Sequence, residues 1–306
     1  MQLVPVVFPG KRCKHRHWRT CRRVMLGNMS KTYDLHSHTL HSDGVLTPEE
    51  LVRRAVDKGV DVLALTDHDV TDGLEEAAAV AKEVGIELVP GVEVSVSWEG
   101  RTVHVVGLGI DAGNFELDAG LAQLRAMRNS RGREIGERLE RAGVAGAYAG
   151  ARDYAHGQIL SRTHFARFLV DAGYAPNVGR AFRNWLHKGK PGHVRNDWVS
   201  LQQGVGWIRA AGGVAVIAHP GRYRMSAGAM RRMLGEFREC GGQGIEVVCG
   251  NYNVDEAERF ARLAGEFDLL SSRGSDFHGP EQHWLELGRL APFPRGCTPI
   301  WENWAA

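Results

Sequence analysis

Nine histidines and carboxylates are spread over most of this chain, and nearly all of them fall where a strand pattern ends and a loop begins. The residues so placed are His36, His38, Asp43, His68, Glu93, His104, His219, Asp276 and His278. In barrel-like α/β enzymes the carboxyl ends of the strands face one side, where active sites gather. A chain built this way is constrained to bring distant imidazoles and acids to one place.

The local patterns support that architecture. Thr32–Leu35 reads as a short strand entering the His36-Ser37-His38 loop. Thr47-Pro48-Glu49-Glu50 is a helix start, with Thr at the N-cap, Pro at N1 and Glu at N3. That helix is expected to stop at Gly59. Val60–Thr66 reads as a buried strand ending in Asp67-His68-Asp69, and Asp72 is expected to cap a second helix running to Gly85. Ile86–Val89 continues through Pro90-Gly91 to Val92–Ser95, and Gly100 turns the chain back into an alternating strand over Arg101–Gly107. Between about 115 and 200 the reading is helical, with one long helix over Leu117–Arg141 and shorter ones near Arg162–Asp171 and Asn177–His187. Alternation resumes with helices at Leu201–Ala211, Ala227–Cys240 and Asp255–Ala264, and strands at Val214–Ala218, Ile245–Val248 and Leu269–Ser272. The order of elements points to a parallel barrel or partial barrel, 32–114 and 201–306, interrupted by a helical insertion, 115–200.

Charge separates a tail from this body. Residues 1–33 hold eight Lys or Arg and no acid, which leaves the rest with a net charge of −6. Cys13, His15, His17 and Cys21 are zinc-type ligands, but they are crowded and lack a finger's loop. A targeting peptide would also be basic and acid-poor. The expectation is a disordered extension over residues 1–31, with Met25 or Met29 as an alternative start. The five cysteines show no C-x-x-C and no disulfide framework, which fits a reducing cytoplasm. No stretch approaches the ~18 apolar residues of a membrane span.

The ligand candidates make chemical sense together. In His-x-His on an extended segment both rings share a face, because side chains alternate with period two. Asp43, between Ser42 and Gly44, can fold back from the same loop. Glu93 ends an apolar strand, where an unpaired carboxylate is costly unless it meets a cation.

The runs Asp34-Leu-His-Ser-His-Thr-Leu-His-Ser-Asp-Gly44, Leu65-Thr-Asp-His-Asp69 and Gly91-Val-Glu-Val-Ser95 resemble the polymerase-and-histidinol-phosphatase (PHP) family. His104, Ala218-His-Pro-Gly-Arg-Tyr223 and Gly274-Ser-Asp-Phe-His-Gly279 extend the resemblance over residues 32–304. It implies a distorted (β/α)7 barrel holding two or three divalent metal ions. One would take His36, His38, Glu93 and Asp276; a second would share Glu93 and add His104 and His219; a third would use Asp43, His68 and His278. Imidazole and carboxylate ligands suit manganese first, with zinc or iron as alternatives. The implied reaction is attack of a metal-bridged hydroxide on phosphorus. Asp67 and Asp69 flank His68 and are expected either to orient it or to cap the following helix.

Within that family, Arg128, Arg131, Ser161, Arg162, His164, Lys190 and Arg222 resemble the branch that hydrolyses 3′,5′-nucleoside bisphosphates and trims short RNA from the 5′ end. Substrate contact is expected of these seven. A phosphorylated nucleotide or short RNA is the expected partner, and no membrane or obligate protein partner is called for. Histidinol-phosphate phosphatase is the alternative enzyme, though its small cationic substrate needs fewer arginines. A non-catalytic metal or RNA-binding module is a third reading, disfavoured by the intact ligand set and by an acidic body that repels nucleic acid.

Overall fold

Seven strands, β1 (Tyr33–Asp34), β2 (Val62–Leu65), β3 (Glu87–Trp98), β4 (Arg101–Leu108), β5 (Val214–Ile217), β6 (Gly244–Cys249) and β7 (Leu270–Gly274), pair in chain order. The computed structural model describes residues 31–195, 197–250 and 252–304. The readings made on the basic tail, including its zinc-type ligands and its start, therefore lie outside the described residues.

Backbone bonds from Leu35 N to Arg273 O (3.0 Å) and from Asp276 N to His36 O (2.8 Å) bring β7 beside β1. The sheet thus nearly closes into a barrel. Asp34 reinforces the seam, accepting from the backbone N–H of Ser275 (2.7 Å) and Gly288 (2.9 Å). Gly274 is required there, because an added Cβ would lie 2.3 Å from His36 Cβ.

The barrel is not all-parallel as expected. β4 runs antiparallel to both β3 and β5, and the other pairs are parallel. The cause is the Glu99-Gly100 turn, where both residues have positive φ (44° and 69°). A two-residue hairpin cannot make a crossover, so it returns the chain antiparallel. The two expected strand pieces on either side of Pro90-Gly91 run on as the single twelve-residue β3.

Side chains alternate between two cores, as period-two geometry demands. Val62, Ala64, Val106, Leu108 and Val216 point into the barrel with Leu35 and Ile300. The terminal turn Ile300–Trp304 lies against them, Tyr33 stacking on Trp301 at 4.1 Å. The opposite faces, Leu63, Leu65, Val94, Val105 and Ile217, pack under the outer helices α1 (Pro48–Asp57), α2 (Leu74–Val84), α7 (Leu201–Ala210), α8 (Ala227–Glu239) and α9 (Val254–Glu266).

Helix α1 starts as the sequence suggests, with a capping box between Thr47 and Glu50. Helix α2 does not. Gly73 occupies its N-cap with no side-chain bond, and Asp72 instead accepts from Gln158 Nε2 at 2.6 Å. That contact ties the barrel to the segment between β4 and α7. There, α3 (Phe115–Arg141) packs its first turns on the barrel: Leu117, Leu121 and Leu124 join the outer core. Its second half, Ile135 and Leu139, belongs to a separate core with α4 (Ala147–Asp153), α5 (Arg162–Asp171) and α6 (Val178–Ala181). A π-helical turn, Phe182–Leu186, follows α6 and replaces the expected regular helix to His187.

Candidate metal centre

All nine ligand candidates converge at the carboxyl end of the barrel. His36 Nε2, His38 Nε2, Glu93 Oε2 and Asp276 Oδ1 form one knot. The two imidazole nitrogens lie 3.1 Å apart, and Asp276 Oδ1 is 3.0 Å from His38 and 3.3 Å from His36. Glu93 Oε2 is 3.3 Å from both. His104 Nδ1 and His219 Nε2 each approach Glu93 Oε1 at 2.9 Å. His278 Nε2 and His68 Nε2 face Asp43 Oδ1 at 3.2 and 3.7 Å, while His68 Nδ1 reaches Glu93 Oε2 at 2.8 Å.

The donor atoms fall into three groups that share members: His38, Asp43, His68 and His278; His36, His38, Glu93 and Asp276; and His68, Glu93 and His104. The grouping differs in detail from the one implied by family resemblance, since His38 joins Asp43 and His68 replaces His219 beside His104. His219 still touches the same Glu93 oxygen.

Three features show that this donor set fits metal ions. First, Asp43 Oδ1, Glu93 Oε2 and His68 Nδ1 are buried with no hydrogen bond of proper geometry. Such orphaned lone pairs are expensive unless a cation meets them. Second, charges are displaced strongly. Burial should lift the carboxyl of Glu93, but His68, His104 and His36 hold it well below the usual range. His278 and His68 do the same for Asp43. Burial presses His38 down, yet hydrogen bonds to Asp276 and Glu93 lift it to about 9. Burial likewise presses His36 down, yet the charges of Glu246, Glu93 and Asp276 raise it well above its ordinary value. His68 and His219 go the other way: burial outweighs their carboxylate neighbours, lowering both and taking His68 to about 4. Third, the backbone is bent to aim these groups. His219 and Asp276 sit at φ of 29° and 55°, and Asp69 at 52°, conformations of the kind found at functional sites.

The supports are as specific as the ligands. Asp67 accepts from Thr39 N (2.7 Å), from Thr39 Oγ1 (2.5 Å) and from the Ser42 hydroxyl. It fastens the loop between His38 and Asp43 rather than bonding to His68. Gly44 allows that loop to fold back, since an added Cβ would lie 2.6 Å from the His38 carbonyl oxygen. Asp43 is steadied from α5: Ser161 Oγ and Thr163 Oγ1 donate to its Oδ2 at 3.1 and 2.8 Å.

Sequence reasoning missed Glu246. It is buried in the middle of β6, with Oε1 2.7 Å from His36 Nδ1 and Oε2 accepting the His219 backbone N–H at 2.5 Å. A carboxylate accepts, so Nδ1 carries the hydrogen and the Nε2 lone pair faces the knot. Partners of this kind orient imidazole ligands and typically tune metal affinity ~10–100-fold. The signal was available: Glu246 interrupts the apolar run Gly244–Cys249, the same argument that marked Glu93. Glu246→Gln should weaken divalent-ion binding by about 10–100-fold at unchanged fold, read by titration with manganese. Affinity equal to wild type would rule out the orienting role.

The seven expected substrate contacts do not behave alike. A cavity of about 230 Å³ above the ligands is lined by Arg128, Arg131, Ser161, Arg162 and Arg222, with Phe182 and Trp198. Arg128 is already paired, Nε to Asp69 Oδ2 at 2.5 Å and Nη2 to Ser95 Oγ at 2.6 Å, so it builds the wall. Arg222 pairs with Asp276 Oδ2. Arg131 and Arg162 form no ion pair with a carboxylate among the described residues. Arg131 is lowered well below its usual range by burial, then by Arg162 and Arg128; burial and Arg128 also lower Arg162. Two expectations need correction. His164 is buried, closes the α5 capping box by accepting the Ser161 N–H (3.1 Å), and does not line the cavity; burial takes it to about 4. Lys190 lies on an exposed turn outside the lining, held there by the bond from its N–H to the His187 carbonyl (2.9 Å).

Comparison with known proteins agrees with the geometry. A PHP domain family model matches residues 34–247. A 3′,5′-nucleoside bisphosphate phosphatase of Chromobacterium violaceum is 48% identical over 271 residues, covering 88% of this chain and 95% of that protein. A 5′-3′ exoribonuclease of Haemophilus influenzae is 46% identical over 275 residues, 90% of this chain and 100% of its own length. A solved structure from Chromobacterium violaceum, described as an amidohydrolase with bound sulfate and no metal, superposes with a TM-score of 0.85 at 48% identity, covering 88% of this chain and 94% of that one. Another, from Bifidobacterium adolescentis and described as a metal-dependent phosphoesterase, gives 0.75 at 28% identity over 89% and 94% of the two chains. Among the described residues, no helix is long and apolar enough to cross a membrane.

Proposed function

The chain belongs to the PHP domain family, and from that premise we propose that it is a metal-dependent phosphoesterase. Its substrates are 3′,5′-nucleoside bisphosphates, from which it removes the 3′-phosphate, and short 5′-phosphorylated RNA, which it trims from the 5′ end. One observation carries this reading: a cage of buried imidazoles and carboxylates opens into a cavity lined by two cations, Arg131 and Arg162, that form no ion pair among the described residues. A substrate with two phosphates satisfies both ends at once.

When bound, two or three divalent ions, manganese foremost, would supply Lewis acidity and charge neutralisation at the scissile phosphate. His36, His38, Glu93 and Asp276 would hold one; Glu93, His104 and His219, with His68 close by, another; Asp43, His68 and His278 a third. No cysteine belongs to the donor groups, which suits a metal of oxygen and nitrogen preference.

The remaining work falls to the protein. Arg131 and Arg162 hold the 5′-phosphate, which fixes the distance of the 3′-ester from the cage. Holding both ends converts encounter into a positioned reaction, the main contribution expected in phosphoryl transfer. Arg222 stands at the mouth, paired with Asp276 and able to reach a phosphoryl oxygen. Trp198 backs Arg128 and Arg131, whose guanidinium carbons lie 5.1 and 5.7 Å from its ring centre, within cation–π range.

The test is a substrate panel. With manganese present, phosphate release is measured from adenosine 3′,5′-bisphosphate and histidinol phosphate, and nucleotide release from a 5′-phosphorylated oligoribonucleotide. Turnover of the bisphosphate is expected to dominate. Preference for histidinol phosphate overturns the nucleotide reading, and silence on all three with metal bound leaves a binding module.

A further inference from the structure

A second cavity, about 620 Å³, adjoins the first and shares Thr102 and Arg162 as its wall. Its other lining comes from the Gly100 turn and from Lys188, His193, Val194 and Arg195. Among the described residues no carboxylate lines it. Arg195 pairs with Asp197 at 3.1 Å, but both side chains are about three-quarters exposed (74% and 72%), so the pair is weak and exchangeable. The histidines nearby report the same field. Burial lowers His193 and His187, and after burial the neighbours acting most strongly on them are cations: Arg162, Arg131, Arg138 and Lys188 for His193, and Arg162, Arg224 and Arg183 for His187.

We infer that this second cavity is a subsite for a further anionic group carried on the substrate's 5′-phosphate, so that the preferred ligands include nucleoside 3′-phosphates bearing a 5′-diphosphate. The inference rests on the proposed function, which seats the 5′-phosphate at Arg131 and Arg162. Arg162 lines both cavities, so a phosphate held there has one side toward the metal cage and the other toward Lys188 and Arg195. Whatever is bonded to that phosphate continues into the second cavity. The charge excludes the alternative that the cavity holds the nucleobase, because a neutral ring has no use for three cations and a histidine. Size agrees: at about 620 Å³ the second cavity falls within the roughly 300 to 1,000 Å³ of ligand pockets, ample for one more phosphate. The reaction is unaltered. Water adds to the 3′-phosphorus, the P–O3′ bond breaks, O3′ leaves with a proton, and the 5′-diphosphate stays intact.

Two readouts test this in wild type and in Lys188→Ala/Arg195→Ala, both positions being exposed. The first is KM for adenosine 3′-phosphate 5′-diphosphate against that for adenosine 3′,5′-bisphosphate. The second, independent of turnover, is calorimetric affinity for the products adenosine 5′-diphosphate and 5′-monophosphate. The diphosphates are expected to win by about tenfold in wild type, as two charge-assisted contacts warrant, and to lose that advantage in the double variant. Equal ratios in the two proteins overturn the inference. So does a result in which the variant loses chain-length dependence on oligoribonucleotides while the two products bind wild type alike, because the cavity then carries polynucleotide. If wild type releases no phosphate from the bisphosphate, the proposed function fails, and the product affinities still decide whether the cavity reads a second anion.

Discussion

Glu93→Gln is expected to lower kcat/KM on adenosine 3′,5′-bisphosphate by roughly 10³-fold or more, the scale set by losing a preorganised charge in a buried site. Glu93 is fully buried, and its two oxygens face five imidazoles: His104 and His219 at 2.9 Å, His68 at 2.8 Å, His36 and His38 at 3.3 Å. No other carboxylate among the described residues touches as many. Glutamine keeps the shape and removes the charge, so packing in β3 is preserved and the loss reads electrostatics. The same change should lower the metal retained after dialysis, measured by elemental analysis. Activity within tenfold of wild type at full metal content would show that the cage does not depend on this charge.

Much of this centre was legible because its signals are local. His36-Ser-His38 fixes two rings on one face by pleat geometry alone, and Asp43 needs only a short loop to return. Element positions followed from period and caps, as at Thr47, where the cap residue both precedes the helix and bonds into it. What could not be read were pairings set by distant chain. Asp72 looks like a helix cap until Gln158 competes for it. Arg128 looks like a free cation until Asp69 and Ser95 take it. His164 looks like a phosphate donor, yet one backbone N–H three residues earlier fixes it inside α5. Lys190 and Lys188 are two residues apart on a turn, and nothing local says which one faces the cleft. The antiparallel β4 was legible in part: Gly100 was read as turning the chain back, as it does, while the order of elements elsewhere read as a parallel barrel. Glu246 was an omission rather than an illegible position, since a carboxylate inside an apolar strand already asks for a buried partner.

Arg131→Met should do two opposite things. It should raise KM for the bisphosphate by about 10–100-fold, as expected for one lost charged hydrogen bond of ~1.5–3 kcal/mol, with kcat changed much less, because the 5′-phosphate is held alike before and during reaction. In the absence of any anion, the same variant should unfold about 2–4 °C higher, the shift that ~1 kcal/mol produces in a domain of this size. The reason lies in the wall. Arg131 Nε is buried without a hydrogen-bond partner, and Arg162 and Arg128 press like charge against it. Replacing a buried unpaired charge by an apolar side chain of similar volume commonly stabilises. Native protein therefore stores repulsion that the substrate's phosphate relieves, so sulfate should raise the unfolding temperature of wild type more than that of the variant. Calorimetry with and without sulfate reads all of this. A variant less stable than wild type in anion-free buffer would mean that Arg131 holds the wall together instead of waiting for a ligand.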